Sequence, residues 1–340
     1  MRSIRARQYA NIPVFIPHLG CPNACVFCNQ HSISGHGIFR AESVRDEIEQ
    51  ALATLADCAH CEIAFFGGSF TGIDRTLMTE LLEIAQSYVR EGRVDAIRLS
   101  TRPDYVDDEV LSLLSRYAVK TVELGLQSIN DRVLRVTRRG HDAAAAEYAC
   151  RKIKEYGFDL VGQMMIGLPA SSASDEQMTA QRILELGADA ARVYPTVVFR
   201  QTELCRMAER GEYTLLPQEE MIARTANVLE LFDDASVPVI RVGLCASENL
   251  ANADEVYGGA NESAVGELAM GEVFYRRMRA ALVGVRAERQ IRFAVPVGAI
   301  SQAVGQRRKN TERLRAEFGI DRIRFVEDSR LCGYQIQLLL

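Results

Sequence analysis

Cys21, Cys25 and Cys28 stand close together in the segment Gly20-Cys21-Pro22-Asn23-Ala24-Cys25-Val26-Phe27-Cys28-Asn29-Gln30. Their spacing is C-x3-C-x2-C. Three thiolates on one short loop can hold an iron–sulfur cluster, because soft ligands select soft metal centres. A four-iron cubane needs four ligands, so three cysteines leave one iron open to a small molecule and to chemistry on it. The competing arrangement is a structural zinc, which takes four protein ligands and would recruit His18 or His31. A second pair, in Cys58-Ala59-His60-Cys61, has the CxxC spacing of a redox or metal site. Cys61 directly precedes an apolar run, so the pair reads as two inert thiols.

Further candidate residues follow short apolar runs. Gly67-Gly68-Ser69-Phe70 closes one such run. Two glycines let backbone amides approach a ligand closely, although alone they would read as a strand-to-helix turn. Ser100-Thr101-Arg102-Pro103-Asp104 closes another, and Pro103 with Asp104 also suits a helix start. Glu123-Leu124-Gly125-Leu126-Gln127-Ser128, Arg138-Arg139-Gly140-His141 and Gly162-Gln163-Met164-Met165-Ile166-Gly167-Leu168-Pro169 come next. Val193-Tyr194-Pro195-Thr196 and Thr202-Glu203-Leu204 come after those.

With the cysteine spacing, these segments make the chain resemble the radical S-adenosylmethionine (SAM) superfamily. Its elongator-catalytic-subunit and oxygen-independent coproporphyrinogen oxidase branch is the one matched, over about residues 8–282. The resemblance implies a 4Fe-4S cluster on Cys21, Cys25 and Cys28, with Phe27 at the motif's aromatic position and SAM chelating the free iron. It implies that Gly67, Gly68 and Ser69 receive the methionine end of SAM. Arg102 belongs to the matching STRPD segment, and Gln127 and Arg139 would contact SAM. Ser100 and Gln163 stand where the oxidases place an acid-type ribose ligand and an aspartate. Tyr194 is implied as a residue on the substrate side. The elongator family continues into an acetyltransferase domain. Only about sixty residues follow Leu282 here, too few for that fold, so acetyl-CoA chemistry is not implied.

The elements that must position these residues alternate. Apolar runs near residues 14–16, 62–66, 96–100, 122–125, 158–166, 190–194 and 237–240 read as strands. Helical spacing holds over 41–56, 77–89, 110–117, 143–156, 176–186 and 221–232. Regular β-α alternation predicts a parallel sheet with helices outside it. The number of units fits an incomplete (β/α)6-type barrel, and right-handed crossovers bring every strand's C-terminal end to one mouth. The predicted organisation is a partial-barrel domain over residues 1–282 and a small α+β module over 283–340.

The chain has 340 residues, 48% hydrophobic and 25% charged, with a net charge of −5. That length supports one large core and a small appendage. No apolar run reaches the roughly 18 residues of a membrane span, and the basic start at residues 1–8 has no apolar stretch after it. Nine cysteines at irregular spacing do not form a disulfide framework. A cytoplasmic location is therefore expected, which also suits exposed cluster ligands.

The charge is uneven. Between Arg276 and Arg324 thirteen Lys or Arg face four acids, a local +9, which leaves −14 for the rest of the chain. In the same region Ile291, Phe293 and Val295 alternate as a strand, followed by two helices with Gly305-Gln306-Arg307-Arg308-Lys309 between them, then two more strands. This order resembles a KH domain, whose GxxG loop clamps a nucleic-acid backbone, with Arg308 in place of the second glycine. The resulting expectation is an enzyme that reductively cleaves SAM to a 5′-deoxyadenosyl radical, fed by a reductant such as flavodoxin or ferredoxin, and acting on RNA, with tRNA as the leading candidate. A radical SAM enzyme acting on a small molecule or tetrapyrrole is the first alternative. A non-catalytic RNA-binding iron–sulfur protein is the second.

Overall fold

The computed structural model describes residues 9–16, 19–21, 25–29, 39–55, 58–244, 254–260, 264–285 and 289–339. His18 and His31, the candidate zinc ligands, lie outside the described residues. In chain order the strands are β1 Ala10–Phe15, β2 Cys61–Phe66, β3 Ala96–Thr101, β4 Val119–Gln127, β5 Asp159–Ile166, β6 Ala190–Pro195, β7 Val197–Phe199, β8 Val239–Val242, β9 Val256–Gly259, β10 Gln290–Val295, β11 Arg322–Glu327 and β12 Gln337–Leu339. The helices are α1 Val44–Ala53, α2 Arg75–Arg90, α3 Asp108–Leu114, α4 Asp131–Val136, α5 Ala143–Glu155, α6 Ala173–Glu185, α7 Glu203–Glu209, α8 Gln218–Asp234, α9 Val265–Leu282, α10 Ile300–Val304 and α11 Lys309–Phe318.

The main sheet has seven parallel strands in the order β1-β2-β3-β4-β5-β6-β8. The order never reverses. Crossovers of one hand therefore place the connecting helices on one face. Ile63, Phe65, Ile97, Leu99, Val122, Leu124, Met164 and Val193 point to that face and join the helices in the main core. Helix starts are set by side chains that accept from the first-turn amides: Asp74, Asp107, Asp142, Ser172 and Thr202.

The opposite face has no crossover helix, yet Glu62, Arg98 and Glu123 are buried on it. That burial requires the sheet to curl into a trough. Among the described residues β8 does not pair back to β1, so the curled sheet is the incomplete barrel expected from the sequence.

A ladder of alternating charge crosses the trough. Arg98 Nε donates to Glu62 Oε2 at 2.8 Å and its Nη1 to Glu123 Oε1 at 2.9 Å. Arg192 Nη2 donates to Glu123 Oε1 at 2.8 Å, and Arg192 Nη1 to the Tyr194 hydroxyl at 3.2 Å. Arg192 Nε also lies 2.7 Å from Glu123 Oε2, but off the N–H axis, so Nη2 carries the hydrogen bond. Tyr9 closes the other end by donating to Glu62. Each buried charge thus faces an opposite one, the condition under which buried ions are tolerated.

The C-terminal residues build a second core on a three-stranded sheet of order β11-β10-β12. β10 runs parallel to β11 and antiparallel to β12. α9 serves both cores: Val265, Ala269 and Val273 pack on the barrel, and Phe274, Tyr275, Met278 and Leu282 on the module. Buried Asn310 joins α9 and α10 to the start of α11, donating to Gly271 O at 2.7 Å and Ala303 O at 3.2 Å.

Candidate functional site

The cysteine loop leaves β1 at the strand's C-terminal end and lies directly on the turn after β2. Ser69 N donates to Leu19 O at 2.9 Å. Two glycines permit this contact. A Cβ on Gly68 would meet the Leu19 carbonyl oxygen at 2.1 Å and that of Ile16 at 2.7 Å, and a Cβ on Gly20 would meet Ser69 O at 2.2 Å. Gly68 therefore has a packing role toward the loop, besides any approach of its amide to a ligand. Gly67 precedes it with φ +102°. The Ser69 hydroxyl is buried between strands, 3.0 Å from Thr101 Oγ1 and accepting from Arg102 N at 3.2 Å.

The far side of the loop is held from remote parts of the chain. Val26 N donates to Thr137 O at 3.1 Å, and Leu204 N to Val26 O at 2.7 Å. Thr202 caps the helix α7 that carries Leu204. Val26 sits with Val198, Leu204, Cys205 and Tyr213 in a small apolar cluster, against which Phe27 packs. Phe27 thus anchors the loop by packing.

Cys25 is buried, and Cys21 and Cys28 are partly so. Burial, then the neighbouring Cys25 and Cys21, pushes the Cys28 thiol up to about 12. Burial likewise raises Cys21. Metal coordination reverses this, because a coordinating thiol is deprotonated outright. Among the described residues no three His, Cys, Asp or Glu converge as ligands of one ion. A cluster spreads its thiolates over separate irons, so it does not ask for that convergence.

Two arginines meet Cys25. Arg139 Nη1 lies 3.2 Å from its sulfur, and Nη2 donates to Gly125 O at 2.6 Å. Arg102 Nη1 lies 3.9 Å from the same sulfur. Arg102 also grips Asp104 with two bonds of 2.9 and 2.8 Å and donates to the Arg139 carbonyl. Gln127 completes the group. It is buried with φ +66°, where the β4–β5 register shifts. A Cβ on Gly125 would lie 3.1 Å from Gln127 Nε2 and 3.5 Å from Arg139 Nη2. The structure thus brings together Cys25, Arg102, Gln127 and Arg139 around Gly125.

Two buried atoms of this group, Gln127 Oε1 and Arg139 Nε, have no partner among the described residues. Buried polar atoms are normally paired, so the site suits a polar ligand beside the thiols. A donor set of three thiols, two guanidiniums and an amide fits a cluster with a charged small molecule against it.

Ser100 is half-buried on β3 and its hydroxyl reaches Phe65 O at 3.4 Å. Gln163 is half-buried on β5, registered between Gly125 and Arg192. Tyr194 belongs to the charge ladder in the trough, and burial raises its hydroxyl above the ordinary range. Burial also pushes the Cys61 thiol up to about 11, and Cys58 Sγ donates to His60 O at 3.0 Å. Burial of this kind disfavours a reactive thiolate at Cys61. Asp104, Gly125, Thr137 and Leu204 support the site without having been singled out as site residues. Asp104 and Gly125 lie inside motifs already noted. Thr137 and Leu204 act through backbone atoms, which leave no mark on sequence.

The radical SAM superfamily pattern matches residues 15–183, and the radical SAM C-terminal domain pattern matches residues 188–273. The chain belongs to the radical SAM superfamily of enzymes. It is 28% identical over 231 residues to an uncharacterized protein of Methanocaldococcus jannaschii, covering 64% of this chain and 70% of that one. It is 29% identical over 157 residues to the tRNA uridine(34) acetyltransferase of the same organism, covering 45% of this chain and 29% of that one. Among solved structures, the archaeal Methanocaldococcus infernus Elp3 with its N-terminus deleted superposes with a TM-score of 0.62 at 22% identity. That match covers 82% of this chain and 64% of the other. The chain therefore spans less than a third of the acetyltransferase relative and under two thirds of the Elp3 structure. Among the described residues no helix is long and apolar enough to cross a membrane.

Proposed function

We propose that this enzyme holds a 4Fe-4S cluster on Cys21, Cys25 and Cys28, cleaves SAM reductively, and uses the product radical to modify RNA, with tRNA the leading substrate. The single observation that carries the cofactor reading is the approach of Arg139 and Arg102 to Cys25, with Gln127 beside them at Gly125 and two buried polar atoms left for a ligand. The cluster, when bound, supplies the electron that breaks the sulfonium bond. The chain's own work is to bind, orient and exclude water. In this reading the unpaired Arg139 Nε meets a carboxylate and Gln127 offers its amide, above the β2 and β3 ends. The trough with Tyr194, Arg192 and Gln163 forms the substrate side.

The RNA reading rests on the basic C-terminal module and on similarity to a relative named as a tRNA-modifying enzyme. The match covers under a third of that relative. Anaerobic reconstitution followed by SAM cleavage, with and without total tRNA, tests both parts. Cys21→Ala, Cys25→Ala and Cys28→Ala should each abolish cleavage, while Cys58→Ala and Cys61→Ala should retain it. Cleavage that tRNA neither stimulates nor couples to a modified nucleoside would move the substrate to a small molecule. RNA binding without any SAM cleavage would leave only a binding role.

A further inference from the structure

The outer face of the C-terminal sheet carries an arrangement that the cluster chemistry does not use. Ile291, Phe293, Val295, Ile323, Phe325 and Leu338 point into the module's core. The alternate positions point outward. Parallel register places Arg292 directly beside Arg324, and Gln290 beside Arg322. Leu339 lies opposite Arg292 on the other side, and Gln337 opposite Ala294. Arg292, Arg322 and Arg324 are exposed, and no acid stands at the outward positions of the three strands.

This differs from the arginines of the neighbouring helices. Arg276 pairs with Glu230 and Glu272, Arg277 with Asp233 and Asp234, Arg279 with Glu317, and Arg313 with Glu272. Among the described residues no such pair is formed by Arg292, Arg322 or Arg324. Like charges directly across a sheet destabilise it, so this face fits an anion supplied from outside.

The geometry points to this sheet face as a second contact surface for the phosphate backbone of RNA. It is separate from the Gly305–Lys309 loop, which lies between helices on the sheet's other side. The inference rests on the RNA reading above and extends it. Three features favour RNA over other anionic partners. The basic residues are arginines, whose planar forks match phosphate and stack on bases. The face has no Trp, Phe or Tyr to enter a membrane interface or to anchor a protein interface. The apolar members of the face are aliphatic, exposed Val326 and half-buried Leu339.

The test uses the full-length protein and total tRNA, titrated by filter binding at two salt concentrations. An Arg292→Gln/Arg324→Gln double variant should flatten the dependence of log K on log salt by about 1 to 2 units. Its thermal midpoint should be unchanged or higher, because a like-charge pair is relieved, and SAM cleavage without RNA should be unchanged. An Arg307→Ala/Arg308→Ala/Lys309→Ala variant is run beside it. If the loop variant loses affinity and the sheet variant does not, the sheet inference fails and the RNA reading stands. If the wild-type chain has no salt-dependent tRNA affinity, both fail. A lowered thermal midpoint would make the arginines structural and overturn the proposal. So would preference of the wild-type chain for phosphatidylserine vesicles over tRNA.

Discussion

Arg139 reaches Cys25 across 114 positions of sequence, Nη1 standing 3.2 Å from Sγ, while Arg102 holds the Arg139 backbone carbonyl from behind. The two arginines therefore do different work. Arg139→Ala removes a charge beside the thiols and one bond to Gly125 O. It should weaken SAM binding and leave iron content near wild type. Arg102→Ala frees Asp104, the Arg139 carbonyl and one side of Cys25 together. It should lower folding stability by about 1–3 kcal/mol, the usual cost of unsatisfied buried groups, and lower iron content after reconstitution. Urea unfolding and iron analysis separate the two. Equal unfolding midpoints for Arg102→Ala and wild type would remove the supporting role.

Gly68 makes a sharper case, because its neighbours on the open side are backbone atoms. Any Cβ there meets carbonyl oxygens of Leu19 and Ile16 that no side-chain rotation can move aside. Gly68→Ala should therefore displace the cysteine loop and lose iron as well as SAM affinity. Ser69→Ala, which only breaks the links to Thr101 and Arg102, should keep its iron at a stability cost of about 1 kcal/mol. Full iron content in Gly68→Ala would mean that the loop can leave the β2 turn without harm to the ligands.

Glu123 is the centre of the trough's charge ladder. It accepts from Arg98 on one side and Arg192 on the other. Glu123→Leu leaves two guanidiniums facing each other with one remaining acid, Glu62. Breaking a buried pair in this way costs about 3–5 kcal/mol. The urea midpoint should fall by a corresponding amount with little change in m. A loss under about 1 kcal/mol would mean that water already screens the ladder.

His141 should give folding stability a pH dependence. Burial, then the charge of Arg139, lowers its pKa to about 4. A base whose folded pKa is depressed binds fewer protons folded than unfolded between that value and its ordinary one near 6.5. Stability should therefore fall as pH drops from about 6.5 to about 4, with the unfolded state taking up the proton. His141→Gln should flatten the midpoint-versus-pH curve in this window. An unchanged slope would assign the acid sensitivity to other groups.

Much of this site is legible in the sequence, and the parts that are not share a cause. The cysteine spacing, Gly67-Gly68 and Gln127 sit in local motifs next to strand ends, so alternation of apolar runs and helical stripes is enough to bring them to one mouth, whereas Arg139 follows the short helix Asp131–Val136. The last strand of the barrel runs Val239–Val242, just past Pro238, whose carbonyl accepts from Ala191 N but which has no N–H of its own to donate. The helix Asp131–Val136 and the β7–β9 pair are too short to show a period. Leu204 and Thr137 support the cysteine loop through amide and carbonyl groups that every residue type possesses. The charge ladder did leave a signal: Glu62, Arg98, Glu123 and Arg192 each stand between two apolar residues of a strand. A charge inside a buried parallel strand demands a partner, although sequence alone does not say which.

Arg308 offers a last test, since it stands where a GxxG loop has its second glycine. Its backbone is left-handed, φ +65° and ψ +19°, and Arg307 before it has φ +51°. A residue with a Cβ pays about 1–2 kcal/mol in that region relative to a right-handed one. The chain keeps the glycine-type backbone while retaining an exposed guanidinium at the tip. Arg308→Gly removes the strain but adds unfolded-state freedom of about 0.5–1 kcal/mol, so net stability should change by less than about 1 kcal/mol. Arg308→Val puts a β-branched side chain at positive φ and should destabilise. If the side chain grips phosphate, both variants should reduce the salt slope of tRNA binding by about 0.7, whatever their stability. If Arg308→Gly binds tRNA with the wild-type slope, the loop's backbone shape serves packing on Asn310, and RNA contact must be made elsewhere on the module.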